Sequence, residues 1–143
     1  SMKENIVCSG ALFYATSTKR FLFLQRTDKK TQGMWGLVGG KSKFTESAFE
    51  GLKREIEEET GSLPKFKKVI PLEMFTSNDQ KFFFHTYLIA IESEFIPKLN
   101  SEHSGYCWCA FECWPKNLHM GLKNTLNNKS IKGKLQTILD LIV

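Results

Sequence analysis

Cysteine, proline and glycine are all sparse in this chain, at 4, 4 and 10 of 143 residues. The low glycine and proline exclude collagen-like and low-complexity classes, and an apolar fraction of 41% excludes disorder. Four thiols with no secretory signal beside them do not make a disulfide framework in a chain long enough to build its own core. Cys107, Cys109 and Cys113 with His103 nearby lack the usual zinc-knuckle spacing. Alternation along a strand would instead turn Cys107 and Cys109 onto one core face, as buried structural thiols. No apolar run approaches the roughly 20 residues that cross a bilayer. Residues 1–5 hold no apolar core of a signal peptide, and Ser1-Met2 resembles the remnant of a cleaved tag. A cytoplasmic protein of one domain over residues 1–143 is the expectation, as monomer or homodimer and with no membrane partner.

What is present is an uneven distribution of charge. Twenty Lys and Arg against 15 Asp and Glu give +5 overall. Residues 40–62 nevertheless hold six glutamates (46, 50, 55, 57, 58 and 59) against four basic residues, so this segment carries −2 and the remainder +7. A local acidic knot in a basic chain suits a metal site that faces a polyanionic ligand. It also suits a solvated helix face with ion pairs one turn apart.

The order of elements frames that choice. Ile6–Ala15 and Phe21–Gln25 read as a hairpin across a turn at 16–19. Thr27–Gly33 is a polar, basic loop, and Met34–Val38 is a short strand closed by Gly39-Gly40. Ala48, Phe49, Leu52 and Ile56 recur at helical spacing within 45–60, with Thr45 as N-cap and Gly61 at the C-terminus. Strands follow at Val69–Phe75, Lys81–Ile91 and Tyr106–Phe111. An amphipathic helix from Leu122 to Ile142 closes the chain, broken near Asn127-Asn128. The sum is an α+β domain with a mixed sheet between helices.

On the helix, Glu55, Glu58 and Glu59 stand at i, i+3 and i+4 and share one face, while Leu52 and Ile56 point into the core. Three stacked carboxylates repel one another unless a cation intervenes, and hard Mg²⁺ prefers carboxylate and phosphate oxygen. Arg54 one turn before Glu58 offers the competing ion-pair explanation. Gly39-Gly40-Lys41 just upstream lets backbone approach a ligand and sets a lysine beside it.

Gly40, five residues, Glu46, seven residues, then Arg54-Glu55-Ile56-x-Glu58-Glu59-x-Gly61 resembles the signature of the Nudix hydrolases. Eight of nine fixed positions agree; the ninth, usually aliphatic, is Ser62. The box occupies residues 40–62. A Trp-containing strand before the double glycine and the stretch from Trp108 to Trp114-Pro115 after it are similar as well. The resemblance implies an α/β/α sandwich and Mg²⁺- or Mn²⁺-dependent hydrolysis of a nucleoside diphosphate linked to another group. It implies Glu55, Glu58 and Glu59 as metal ligands, joined by the Gly40 carbonyl. Arg54 would orient Glu55, Glu46 would hold the loop-helix-loop together, and Gly39 and Lys41 would contact pyrophosphate. The base that activates water is left open among Glu55, Glu58 and Glu102.

The substrate is less legible. Glu102-His103-x-x-Tyr106-x-Trp108 resembles a segment of the animal-type asymmetric dinucleoside tetraphosphate hydrolases and of dihydroneopterin triphosphate pyrophosphatases. It implies Glu102 as a further ligand or general base, and His103 as a phosphate contact or proton carrier. The proline of ADP-ribose hydrolases would fall near Thr76-Ser77, and the tyrosine of dinucleoside polyphosphate hydrolases near residues 78–80. Neither is present, nor is the coenzyme A signature, and Val38 replaces a common proline. Trp35 and Phe84 are candidates to stack on a base and Arg26 to reach phosphate. Lys65, Lys67 and Lys68 read as solvated surface, so no duplex nucleic acid is expected. A nucleoside or deoxynucleoside triphosphate leads. A dinucleoside polyphosphate, an RNA 5′ end and a non-catalytic nucleotide-binding regulator follow; retention of all three glutamates speaks against the last.

Overall fold

The computed structural model describes residues 5–142; Val143 and residues 1–4, which include the expected tag remnant, lie outside the described residues. Strands β1 (Ile6–Ala15), β2 (Arg20–Arg26), β3 (Trp35–Gly36) and β4 (Val38–Lys41) precede helix α1 (Ala48–Thr60). Strands β5 (Lys68–Thr76), β6 (Phe82–Ile91) and β7 (His103–Ala110) follow, then helices α2 (Met120–Asn127) and α3 (Lys129–Leu141). The architecture is α+β, as the sequence led one to expect.

β1 organises the sheet because it is apolar on both faces. Ala11, Phe13 and Ala15 join Leu52 and Ile56 of α1 in one core. Leu12 and Tyr14 join Leu122, Leu126 and Leu135 of α2 and α3 in the other. A strand buried on both sides loses the apolar-polar alternation and reads as a continuous apolar run. The sheet is mixed, in order β3-β2-β1-β6-β5, with β4 also on β1 and β7 on β2. Helices on both faces complete the sandwich. No helix among the described residues is long and apolar enough to cross a membrane.

Several boundaries differ from the expectation. β1 and β2 share only Tyr14↔Phe21 and Ala15↔Arg20, whereas β1 runs parallel to β6 from Ile6↔Phe82 to Ala15↔Ile91. Parallel pairing needs a long crossover, which local turn signals do not reveal. The single strand expected at Met34–Val38 is two, and Gly39-Gly40 do not close it: they lie inside β4, opposite Gly10 and Ser9. The N-cap of α1 is Ser47, not Thr45. Ser47 Oγ accepts the Glu50 N–H at 3.1 Å, and Glu50 Oε1 accepts the Ser47 N–H at 2.8 Å, a reciprocal capping box. The C-terminal break falls at Asn128, whose side chain accepts the Ile131 N–H at 3.1 Å and so restarts the chain as α3. Cys107 and Cys109 share a face, Sγ to Sγ 3.6 Å, but are half-buried rather than buried, and Cys113 is exposed.

Candidate active site

Two caps and two core residues set the rotation of α1. The Ser47 box fixes its start, and Gly61, at φ +72°, donates its N–H to the Glu57 carbonyl at 2.9 Å. Leu52 and Ile56 are fully buried. With that stripe on the sheet, Glu55 and Glu59 are carried toward β4, Glu58 is half-exposed, and Glu57 faces solvent.

The double glycine meets this helix edge-on. A Cβ on Gly39 would strike the Ser9 carbonyl oxygen and stand 2.8 Å from Gly10 Cα, so β4 can lie this close to β1 only without a side chain there. A Cβ on Gly40 would strike the Glu55 carboxylate instead, 2.6 Å from its Cδ. The glycines thus make room on opposite sides: one for backbone pairing, one for a carboxylate. Gly39 also donates its N–H to Glu59 Oε1 at 3.0 Å.

Arg54 ties the loop 41–47 to the helix. It binds Glu46 through Nε at 2.8 Å and Nη2 at 2.9 Å, and donates from Nη2 to the Lys41 carbonyl at 3.1 Å. Glu46 also accepts the Lys43 N–H at 2.7 Å. These bonds hold the Glu46 carboxyl down to about 2, the Arg54 guanidinium contributing most. The same guanidinium lies 3.5 Å from Glu55 and 3.4 Å from Glu58, so the ion pair suggested by the i,i+4 spacing is present.

A cleft of about 290 Å³ opens beside β4, lined by Arg26, Thr27, Asp28, Gly39, Gly40, Glu59, Ser101, Glu102 and His103. It gathers sequence candidates from β2, β4, α1 and the segment before β7. Glu59 is 2% exposed, and burial pushes its carboxyl up to about 8, with the charges of Glu55 and Glu102 adding to the rise. Glu55 is raised as well, first by burial and then by the charge of Glu58. His103 is buried and its Nδ1 has no partner; burial and then Arg26 lower its pKa. The register of β2 on β7 shifts between Gln25 and Arg26, and this irregularity pairs Arg26 with His103 at the cleft. Arg26 is held by Asp28 at 3.0 Å and Thr31 Oγ1 at 2.6 Å.

Trp35, Phe84 and Lys41 do not line this cleft, and of the expected box residues Arg54, Glu55 and Glu58 stand beside it rather than in its lining. Trp35 packs on the α2–α3 core, Phe84 lies against Gly10, and Lys41 is exposed at the end of β4. Thr27, Asp28 and Ser101 do line it; no spacing or composition signal marks them in the sequence. A smaller concavity of about 180 Å³ between β5, β6 and α3 carries one carboxylate, Glu73, already engaged by Thr125 Oγ1 at 2.6 Å.

The donor set fits a hard divalent cation. Burial raises Glu55 and Glu59, and the charge of Glu102 adds to both rises, so carboxyl groups gather here that a bound cation would stabilise in their charged form. Glu58, turned to Arg54, would have to swing from that pair to join them. Among the described residues no three acidic, imidazole or thiol side chains already form a closed cage.

Comparison with known proteins agrees with this geometry. Residues 6–128 match the family model for the NUDIX domain. Nudix hydrolase 6 of Arabidopsis thaliana is 41% identical over 63 residues, a match covering 43% of this chain and 22% of that protein. A MutT protein from Methanosarcina mazei superposes with a TM-score of 0.70 at 22% identity, covering 95% of this chain and 99% of that one. An Ap4A hydrolase from C. elegans gives 0.71 at 18% identity, covering 94% and 99%. The glutamate-bearing helix, the paired glycines and the sandwich around them lie inside the matched stretch, and the chain belongs to the NUDIX family.

Proposed function

We propose that this chain is a divalent-metal-dependent pyrophosphohydrolase acting on nucleotides, with a nucleoside or deoxynucleoside triphosphate as the leading substrate. The observation that carries the reading is that Glu59 and Glu102 line one cleft with Gly39-Gly40, while Glu55 lies against Gly40 and within electrostatic reach of both. Glu55, Glu58, Glu59 and the Gly40 carbonyl would hold Mg²⁺ or Mn²⁺. A cation bound there neutralises phosphate charge and lowers the pKa of water.

The protein's own groups have distinct tasks. Arg54, fixed by Glu46 and the Lys41 carbonyl, restrains Glu55 from one side while Gly40 leaves it space on the other. Glu102 lines the same cleft, and it, Glu55 or Glu58 would take the proton from water. Arg26 brings positive charge to the cleft, and His103 stays neutral at pH 7 because burial disfavours its cation. Lys41 would meet phosphate extending out of the cleft.

A dinucleoside polyphosphate is the second reading. It is favoured by the likeness in fold to an Ap4A hydrolase over nearly the whole chain and by the position of Glu102-His103 in the cleft. The test is incubation with Mg²⁺ and a panel of canonical and oxidised (d)NTPs, dinucleoside polyphosphates, ADP-ribose, nucleotide sugars and dihydroneopterin triphosphate, products being resolved by ion exchange. Metal-dependent cleavage of one class, lost in Glu58→Gln, is the expected result. Tight nucleotide binding without cleavage would make the cleft that of a regulator.

A further inference from the structure

Glu59 of α1 and Glu102 are 43 residues apart, yet both line one cleft. Glu102 lies at the end of a stretch with no helix or strand between β6 and β7. That stretch is tied to the end of α1. Lys98 donates its N–H to the Thr60 carbonyl at 2.7 Å, and Asn100 Nδ2 donates to the Glu58 carbonyl at 3.0 Å. The other end of the same amide, Asn100 Oδ1, accepts the Glu102 N–H at 3.0 Å.

We propose that Asn100 is a positioning residue that fastens the backbone of Glu102 to the glutamate helix and thereby sets Glu102 in the cleft that Glu59 also lines. The proposal rests on the reading of Glu102 as part of the hydrolytic site. A carboxamide is the group such a link requires, since it donates to a carbonyl and accepts from an N–H at once. Asp would keep the acceptor and lose the donor. Ser would keep a turn acceptor but fall short of the Glu58 carbonyl. The far side of Glu102 is held separately: its carbonyl accepts the Thr27 N–H at 3.2 Å, and Thr27 Oγ1 donates to the Ser101 carbonyl at 2.8 Å. Loss of Asn100 therefore frees one side of Glu102 and leaves the segment attached to β2.

The experiment is a double-mutant cycle of Asn100→Ala with Glu102→Gln, with Asn100→Ser beside it. It follows kcat, KM and amide hydrogen exchange at Glu102 in the full chain. Groups that orient a catalytic side chain typically cost about tenfold or more when removed. Expected results are a kcat about tenfold lower in Asn100→Ala with KM nearly unchanged, faster exchange of the Glu102 amide, and an intermediate Asn100→Ser. The kcat loss should vanish in the Glu102→Gln background, because residues acting through one another are not additive. An unchanged kcat in Asn100→Ala, or the same fold-loss in both backgrounds, overturns the proposal. A wild-type protein inert toward every nucleotide refutes the hydrolase reading instead. The link between Asn100 and Glu102 then stands or falls on amide exchange alone, and unaltered exchange in Asn100→Ala overturns it.

Discussion

Glu59 should make the metal-free protein lose stability as pH rises through neutrality. Its carboxyl moves from 4.5 to about 8 on folding, driven first by burial of a side chain that is 2% exposed. At 1.36 kcal/mol per pH unit, ionising it in the folded state costs about 5 kcal/mol. The folded chain holds this proton more tightly than the unfolded chain, so stability falls between about pH 4.5 and 8 and levels off on either side. From pH 5 to 7 the loss is on the order of 2 kcal/mol, roughly 5–10 °C in Tm for a chain of this size. Glu55, raised in the same direction, steepens the slope.

Glu59→Gln keeps an oxygen for the Gly39 N–H and removes the charge. In chelator, thermal melts of the two proteins should nearly coincide at pH 5 and diverge above it. The variant should show less than half the wild-type slope and greater stability at pH 8. Mg²⁺ or Mn²⁺ should raise the wild-type Tm at pH 8 and raise that of the variant less. Equal slopes in the two proteins, or a variant less stable than wild type at pH 8, would refute the argument that buried negative charge at this position opposes folding.

The two adjacent glycines should fail in different ways. Gly39→Ala sets a Cβ against β1 backbone and should cost about 3 kcal/mol, read by urea unfolding, whereas Gly40→Ala displaces the end of a side chain and should melt near wild type while losing most turnover. Glu46, held down to about 2, contributes stability that is present above about pH 4.5 and lost as pH falls toward 2. Arg54→Met should therefore be less stable than wild type at pH 7, yet lose less between pH 5 and 3; an identical acid loss in urea titrations would exclude the Glu46–Arg54 bond as the cause. Glu57→Gln, on the exposed face, should retain turnover that Glu58→Gln lacks, and equal losses would sink the assignment of faces on α1.

The helix was legible in the sequence because three independent local signals agreed: apolar spacing at Leu52 and Ile56, a terminal glycine, and carboxylates at i, i+3 and i+4. Its N-cap was misplaced by two residues because Thr45 and Ser47 both satisfy the residue preference, and only the reciprocal bond to Glu50 distinguishes them. The double glycine misled for a different reason. Gly-Gly ordinarily signals a turn, but here it serves close approach within a strand, and the partners it approaches, Ser9 and Glu55, lie 30 residues before Gly39 and 15 after Gly40. Trp35 and Phe84 are aromatics whose residue type suits stacking on a base, but type does not say which way the ring faces. Trp35 is placed by the pairing of β3 with β2 and a bridge to Leu118, and Phe84 by the parallel pairing of β6 with β1, and both the bridge and the parallel pairing are long-range facts.

The opposing wall of the cleft was legible only as single residues. Residue type and spacing single out Arg26, Glu102 and His103, but nothing local says that Thr27 holds the segment bearing Glu102, or that Asn100 reaches back to α1. A carboxylate can be recognised by its chemistry, whereas the residue that aims it is defined by two backbone groups brought together from distant parts of the chain. The charged groups of this site should therefore be predictable from residue type and spacing, while their relative placement depends on uncharged residues such as Asn100 and Thr27. Their variants should report on that placement through kcat with little change in the pH dependence of stability, the reverse of what Glu59→Gln should do.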